Sequence, residues 1–318
     1  MTIFSPKRWQ AGILLISTIC LWASASAADN ALPSAYTPPD RPQHSRVDIA
    51  LVLAVDVSSS IEMNERLFQR QAYAEALKDP RVARIALGGE AGSVAIAYME
   101  WSGARFQRVH LPIRVMSTAG DLAAFADDIL AIPDVAHDPM YLQATAVGDA
   151  LLAAEVAISA LDIPARDYVI DISGDGVLND GLGLQPAREH VLSRGLTVNG
   201  LPIELVNNPA GYSGETADTV SRFYADCVIG GPGAFHLVAR GFEDIRETLI
   251  MKLMLEMAQM QPEQKREIAL AWNAGRAPAV ARLIPAMVLD LSPAPSAPDP
   301  VDCGNDRQNA RNPFVIIP

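Results

Sequence analysis

The sequence predicts an α/β fold, Rossmann-like and doubly wound, in which a mostly parallel central sheet carries helices on both faces. Three observations lead there. Residues 49–55 (IALVLAV) and 168–172 (YVIDI) are near-continuous apolar runs, and a strand that is apolar at consecutive positions has neither face in water, as in the interior of a parallel sheet. Between such runs lie segments whose apolar residues recur at three- and four-residue intervals, the helical period. Both runs end in small, oxygen-bearing residues, Asp56-Val-Ser-Ser-Ser and Ser173-Gly-Asp-Gly, at the carboxyl ends of strands, where open α/β sheets hold their ligands.

Taken in order, the chain begins with a targeting segment. Lys7 and Arg8 form a basic region, residues 11–22 an apolar one, and residues 23–28 (ASASAA) offer overlapping A-x-A cleavage sites; residues 1–27 therefore read as a Sec-type signal peptide. Cys20 follows Ile19, where a lipoprotein signal requires a small residue. No later apolar run is long enough to span a bilayer, so a periplasmic or secreted protein is expected. Residues 28–46, with Pro33, Pro38, Pro39 and Pro42, form an extended lead-in. A domain is expected over residues 47–260.

The first strand passes into a helix whose stripe is Ile61, Phe68, Ala72 and Ala76 and which stops before Pro80. Gly88, Gly89 and Gly92 make a turn into a strand over 93–98. Residues 108–115 form a third strand, close enough in sequence to pair antiparallel with it. Leu122, Phe125 and Ile129 mark a short helix, and a loop over 133–144 leads to a longer one defined by Val147, Leu151, Ala154, Ile158 and Leu161. The strand over 168–172 follows. After it come a helix (Leu184, Ala187, Val191), a strand over 196–206, a helix over 215–224, a short strand over 235–238 and a helix from Phe242 to about Met260. Residues 261–318 are expected to be a weakly helical stretch and a Pro/Ala-rich tail.

The 318 residues carry 25 Lys and Arg against 37 Asp and Glu, a formal net charge of −12, and loss of the leader makes the remainder more acidic still. This excludes nucleic acid and anionic membrane surfaces as expected partners, since both require basic patches. Cleavage removes Cys20 and leaves Cys227 and Cys303 in an oxidising compartment, which permits one disulfide; the alternative is two unrelated thiols.

The chemistry concentrates after the first strand. Asp56, Ser58 and Ser60 present a carboxylate and two hydroxyls at alternate positions. Such hard oxygen donors suit Mg²⁺, Mn²⁺ or Ca²⁺ rather than zinc or copper. The simpler reading is a helix cap, with Ser59 at the N-cap and Glu62 completing a capping box; one serine suffices for that, and it leaves Asp56 unexplained.

Three separated segments, DVSSS at 56–60, TAVGDAL at 145–151 and SGDG at 173–176, together resemble the von Willebrand factor type A domain and its metal-ion-dependent adhesion site, over roughly residues 47–258. Within that superfamily the chain looks most like a group of exported bacterial proteins, DUF1194-like, that share the DCVIGGPGAF stretch at 226–235; this resemblance implies no activity. The wider one implies that Ser58 and Ser60 are direct ligands of a divalent cation, Mg²⁺ foremost with Mn²⁺ or Ca²⁺ as alternatives. Thr145 would be a direct or water-bridged ligand, and Asp56 and Asp175 would coordinate the metal or hold its waters. Neutral hydroxyls leave such a cation under-neutralised, with an open position for a carboxylate. One departure stands out. The pattern has Ser or Thr directly before Asp-Gly, where this chain has Gly174, and Asp171 is the lesser alternative for the last ligand.

Asp171 reads more simply as a strand polar group paired to neighbouring backbone, and Asp149 as a solvated first-turn carboxylate favoured by the helix dipole. Residues 88–92 lack the preceding strand and following Lys-Ser/Thr of a phosphate loop. The five histidines show no ligand spacing. The expected function is a non-catalytic, metal-dependent binding module that engages an exposed Asp or Glu of a protein partner. A metal-assisted hydrolase is the alternative from another class, but no G-x-S-x-G elbow is present and Ser58 stands where phosphate-transferring aspartate enzymes need a second Asp. A scaffold with a non-functional metal site is the third reading.

Overall fold

A computed structural model describes residues 44–58, 60–61, 63–133, 144–204, 217–275 and 303. The expectations for the leader, most of the lead-in, the Ser59 and Glu62 capping box and all of the tail beyond 275 except Cys303 lie outside these residues.

Six strands form one sheet in the order β3-β2-β1-β4-β5-β6: β1 Val47–Asp56, β2 Val94–Trp101, β3 Gln107–Met116, β4 Ala165–Gly174, β5 Thr197–Glu204 and β6 Ala239–Arg240. Every neighbouring pair is parallel except β2 and β3. The exception follows from the short connection, since a parallel return needs a crossover of a dozen residues or more. All ten residues of β1 are buried, which is why its sequence lacks the alternation of a half-exposed strand.

The two faces of β1 separate the helices into layers. Ile49, Leu51, Leu53 and Val55 pack with residues of α1 (Met63–Lys78), α2 (Pro80–Ala86), α3 (Ala119–Leu130) and α7 (Phe242–Met257). Ala50, Val52 and Ala54 face α4 (Val147–Ser159), α5 (Leu184–Ser193), α6 (Ala217–Phe223) and a π-helical turn at Tyr224–Val228. Small alanines on this second face let the Ala150, Leu151 and Ala154 surface of α4 approach closely. Helix α8 (Pro262–Asn273) lies beyond the compositional break at 261 and packs Ile268, Ala269 and Ala271 on Phe235, Leu237, Met251 and Leu255. Helix α7 is therefore buried on two sides, and its sequence is apolar around most of its circumference.

Several elements differ from expectation for physical reasons. Asp79 caps a new helix at Pro80, accepting from Arg81 N at 2.8 Å; proline at the first helical position starts a helix as readily as it ends one. In α1, Phe68 is exposed and Gln69 and Arg70 are buried, because Arg70 is held by Glu100 of β2 at 2.6 and 2.8 Å. His110 reaches the same carboxylate at 3.0 Å. Burial opposes the Glu100 charge, but His110 and Arg70 outweigh it and hold the carboxyl down at about 2. Residues 235–238 make only a bridge, His236 to Gly200, before β6 begins at Ala239.

Asp171 is not paired to backbone. Its carboxylate meets Lys252 Nζ of α7 at 2.7 Å, and Lys252 also holds Glu256, all three being fully buried or nearly so. Asp149 is likewise not simply solvated: it accepts from Leu182 N at 2.7 Å, and burial raises its pKa.

Cys227 and Cys303, separated by 76 positions in sequence, are joined by a disulfide with Cα atoms 5.6 Å apart. Cys227 is fully buried. Reducing the bridge is expected to lower stability by about 4 kcal/mol, the chain-entropy value for a loop of this size. Urea unfolding with and without reductant checks this, and coincident midpoints would show that the tether contributes nothing.

Candidate metal centre

The proposed ligands stand at the carboxyl ends of β1 and β4, adjacent parallel strands in the middle of the sheet. From β1 the chain continues to β2 on one side, while β4 lies on the other; this reversal of direction opens the crevice in which doubly wound sheets hold ligands.

Asp56 is the last residue of β1 and is fully buried. Its Oδ1 accepts from Ser58 N at 2.7 Å, which folds the backbone back over the strand end, and Ile61 N donates to Ser58 O at 2.9 Å to close the next turn. That double turn brings Ser58 Oγ within 3.1 Å of Ser60 Oγ. Ser60 Oγ donates in turn to Asp175 Oδ1 at 2.7 Å. The residue after Gly174 therefore does reach the cluster, despite the glycine that separates it from Ser173. Ser58 is buried and Ser60 exposed, so the group opens to solvent on the Ser60 side.

Thr145 approaches from the segment before α4. Its amide donates to Asn179 Oδ1 at 2.8 Å, and Asn179 N donates back to Thr145 O at 3.1 Å. A Cβ placed on Gly176 would lie 3.5 Å from Thr145 Oγ1, which puts that hydroxyl beside the Asp175-Gly176 turn. Helix α4 takes Ala146 as its N-cap, without a side-chain cap bond. The segment is fixed on its other side by Ala146 N to Ser102 O at 2.8 Å and Ser102 Oγ to Ala144 O at 3.0 Å.

All five predicted residues are thus gathered at one sheet edge, by the turns after β1 and the Thr145–Asn179 hydrogen bonds. Asp171, in contrast, lies away from it with Lys252. The electrostatics are unfavourable as they stand. Burial, and then the facing charge of Asp175, push Asp56 well above the usual carboxylate range, and Asp56 Oδ2 is buried without a hydrogen-bond partner among the described residues. Two carboxylates sharing a site repel when both are ionised, and a bound cation inverts that relation. The donor set of two carboxylates and hydroxyls, with one buried carboxylate oxygen unsatisfied, fits a hard divalent cation. Among the described residues no group of three or more His, Cys, Asp or Glu side chains is placed to hold a metal ion, so such a cation would depend on the hydroxyls.

Two neighbours of the cluster were not legible in the sequence as site residues. Asn179 holds Thr145, and its signal is only its place in the polar loop after Asp175. Tyr224, fully buried in the π-helical turn, brings its hydroxyl to the Asp56 side of Gly174.

The architecture is that of a doubly wound α/β domain: a central, mostly parallel sheet between two helical layers, with an acid and hydroxyl cluster at its carboxyl edge. More particularly, residues 46–261 match the family described as "Protein of unknown function (DUF1194)", and the chain belongs to it. Similar solved structures include the pilus adhesin SpaC from Lactobacillus rhamnosus GG, 13% identical over 66% of this chain and 31% of that one, with a TM-score of 0.47. Proximal thread matrix protein 1 from the mussel byssus, with a zinc-occupied MIDAS motif, is 13% identical over 66% of this chain and 46% of its own, with a TM-score of 0.45. An aerotolerance-related membrane protein from Bacteroides fragilis is 18% identical over 75% of this chain and 100% of its own, with a TM-score of 0.34. This chain spans less than half the length of either of the first two. No curated protein matches it. Among the described residues no helix is long and apolar enough to cross a membrane.

Proposed function

We propose that the chain is an exported, adhesion-type protein-binding module whose Asp56, Ser58, Ser60, Thr145 and Asp175 hold one divalent cation, Mg²⁺ foremost and Mn²⁺ or Ca²⁺ as alternatives. The observation that carries this reading is the convergence of these groups on one edge around a buried Asp56 oxygen that has no hydrogen-bond partner among the described residues. When bound, the cation supplies a positive charge and an open coordination position for an Asp or Glu of a protein partner. The residues divide the work: Asp56 and Asp175 provide the negative charge, Ser58, Ser60 and Thr145 provide neutral oxygens, and Asn179 fixes the Thr145 backbone. The Cys227–Cys303 disulfide supports an oxidising, extracytoplasmic location. Calorimetric titration of the purified protein with MgCl₂ and MnCl₂ tests the reading, and saturable one-to-one binding is expected. Crosslinking in the native envelope should then lose the same protein partner on addition of chelator. Absence of saturable binding at millimolar metal would overturn the reading.

A further inference from the structure

Gly174, which stands where the resembled metal-site motif has Ser or Thr, has a counterpart across the sheet. A Cβ on Gly174 would lie 2.7 Å from Tyr224 Oη and 2.7 Å from Asp56 Oδ2. On the next strand, a Cβ on Gly200 would lie 2.7 Å from Tyr224 Cδ1. All three distances are shorter than real Cβ contacts, so two glycines on adjacent strands, β4 and β5, open a slot that admits the phenol ring and delivers its hydroxyl beside Asp56. A Ser or Thr at 174 would direct its own side chain into the space that the tyrosine hydroxyl takes. Tyr224 Oη and Asp56 Oδ2 are both buried, and neither has a hydrogen-bond partner among the described residues. Each being 2.7 Å from the same point, they are separated by at most twice that distance, a gap that a small side-chain rotation or one water closes.

We infer that Tyr224 is a further positioning residue of the metal centre: its hydroxyl donates to Asp56 Oδ2, directly or through one water, and stands in for the hydroxyl that the sequence lacks at 174. The inference rests on the metal reading above. A phenol is a good donor and Asp56, once ionised, is an acceptor only. Leaving both unpaired inside the protein costs more than the bond itself gains, so the two orphaned atoms are each other's remedy. The ring is held so that it cannot swing away. Phe223 packs edge-on at 6.0 Å between centroids, Ile229 N donates to Tyr224 O at 3.0 Å, and Cys227 in the same turn is anchored by the disulfide. Outer partners that orient a metal's carboxylate typically affect affinity 10- to 100-fold.

The test is metal titration of wild type, Tyr224→Phe and Gly174→Ala, each with a metal-free thermal melt. Tyr224→Phe keeps the ring in the slot and removes only the hydroxyl. It is expected to weaken Mg²⁺ and Mn²⁺ binding about tenfold or more, with the metal-free melt lowered only by the loss of one buried hydrogen bond. Wild type should also show a tyrosine difference absorbance on metal addition that the variant lacks. Gly174→Ala drives a methyl between the two oxygens and is expected to weaken binding at least as much. If wild type binds metal and Tyr224→Phe binds it equally, the inference falls and the metal centre stands. If wild type binds no metal, both fall. A melt lowered in Tyr224→Phe with affinity retained would make the hydroxyl structural and overturn the inference as well.

Discussion

Replacing Asp56 with alanine is expected to abolish saturable Mg²⁺ and Mn²⁺ binding while leaving the metal-free fold within about 1 kcal/mol of wild type. The two halves of this expectation have opposite physical origins. Asp56 is fully buried, its Oδ2 is unsatisfied, and burial together with Asp175 raises its pKa. Removing it relieves the repulsion between a buried carboxylate and the partly exposed Asp175, an electrostatic gain. The same change deletes the acceptor of Ser58 N, a loss of about 1 kcal/mol, and the two effects offset. With metal present the outcome differs. Wild type at a hundredfold excess over Kd gains about 2.7 kcal/mol from linkage, and the variant should gain none. Thermal melts with and without Mg²⁺, beside calorimetry, read both quantities. A residue conserving stability alone would give the reverse: lower metal-free stability with binding intact. In the partner assay, chelator and Asp56→Ala should act on one interaction, so their combined effect should equal either alone.

What was legible in the sequence was whatever follows from local period and local chemistry. The buried strands 49–55 and 168–172 announced themselves because a strand covered on both faces cannot alternate, and the antiparallel pairing of β2 with β3 followed from the length of their connection. The acid and hydroxyl cluster was legible because its residues sit at strand ends and helix starts, positions that sequence reading places well. Long-range side-chain pairing was not. Phe68 has the right spacing for the buried stripe of α1, yet the helix turns Gln69 and Arg70 inward to meet Glu100 of β2. Asp171 reads as an ordinary strand polar residue because nothing in β4 indicates that Lys252 of α7 will arrive over it. Helix α2 was hidden by the usual reading of proline as a stop, and the Asp79-Pro80 pair was its signal. The role of Gly174 depends on Gly200 and on a tyrosine from a third segment, a three-way coincidence in space with no linear trace.

Replacing Lys252 with methionine is expected to destabilise the fold by about 3–5 kcal/mol at neutral pH, the usual consequence of removing one partner of a buried ion pair. Lys252 is fully buried between Asp171 and Glu256, with Nζ also 5.4 Å from the centre of the Phe235 ring. Burial disfavours the ammonium, but Asp171 and Glu256 outweigh it and hold its pKa above the ordinary lysine value. Asn199 of β5 supports the group, donating Nδ2 to Glu256 Oε1 at 3.3 Å. One ammonium faces two carboxylates, and burial followed by the Asp171 charge pushes Glu256 up to about 7. Because the folded state holds that proton more tightly than the unfolded chain does, the contribution of Glu256 to stability is fully present below its ordinary pKa of 4.5 and is lost as pH rises through about 7. Wild-type urea midpoints should therefore fall between about pH 5 and pH 7.5 from this group, and Glu256→Gln should remove that component of the slope. Methionine at 252 fills the volume without the charge and leaves both acids uncompensated, so the deficit of Lys252→Met should shrink at pH 5, where the carboxyls can take up protons. Adding Asp171→Leu and Glu256→Gln to Lys252→Met should restore most of the loss, since an apolar replacement of a whole buried ionic group is often neutral. A Lys252→Met deficit that does not change with pH would show that packing, and not charge, sets the cost at this position.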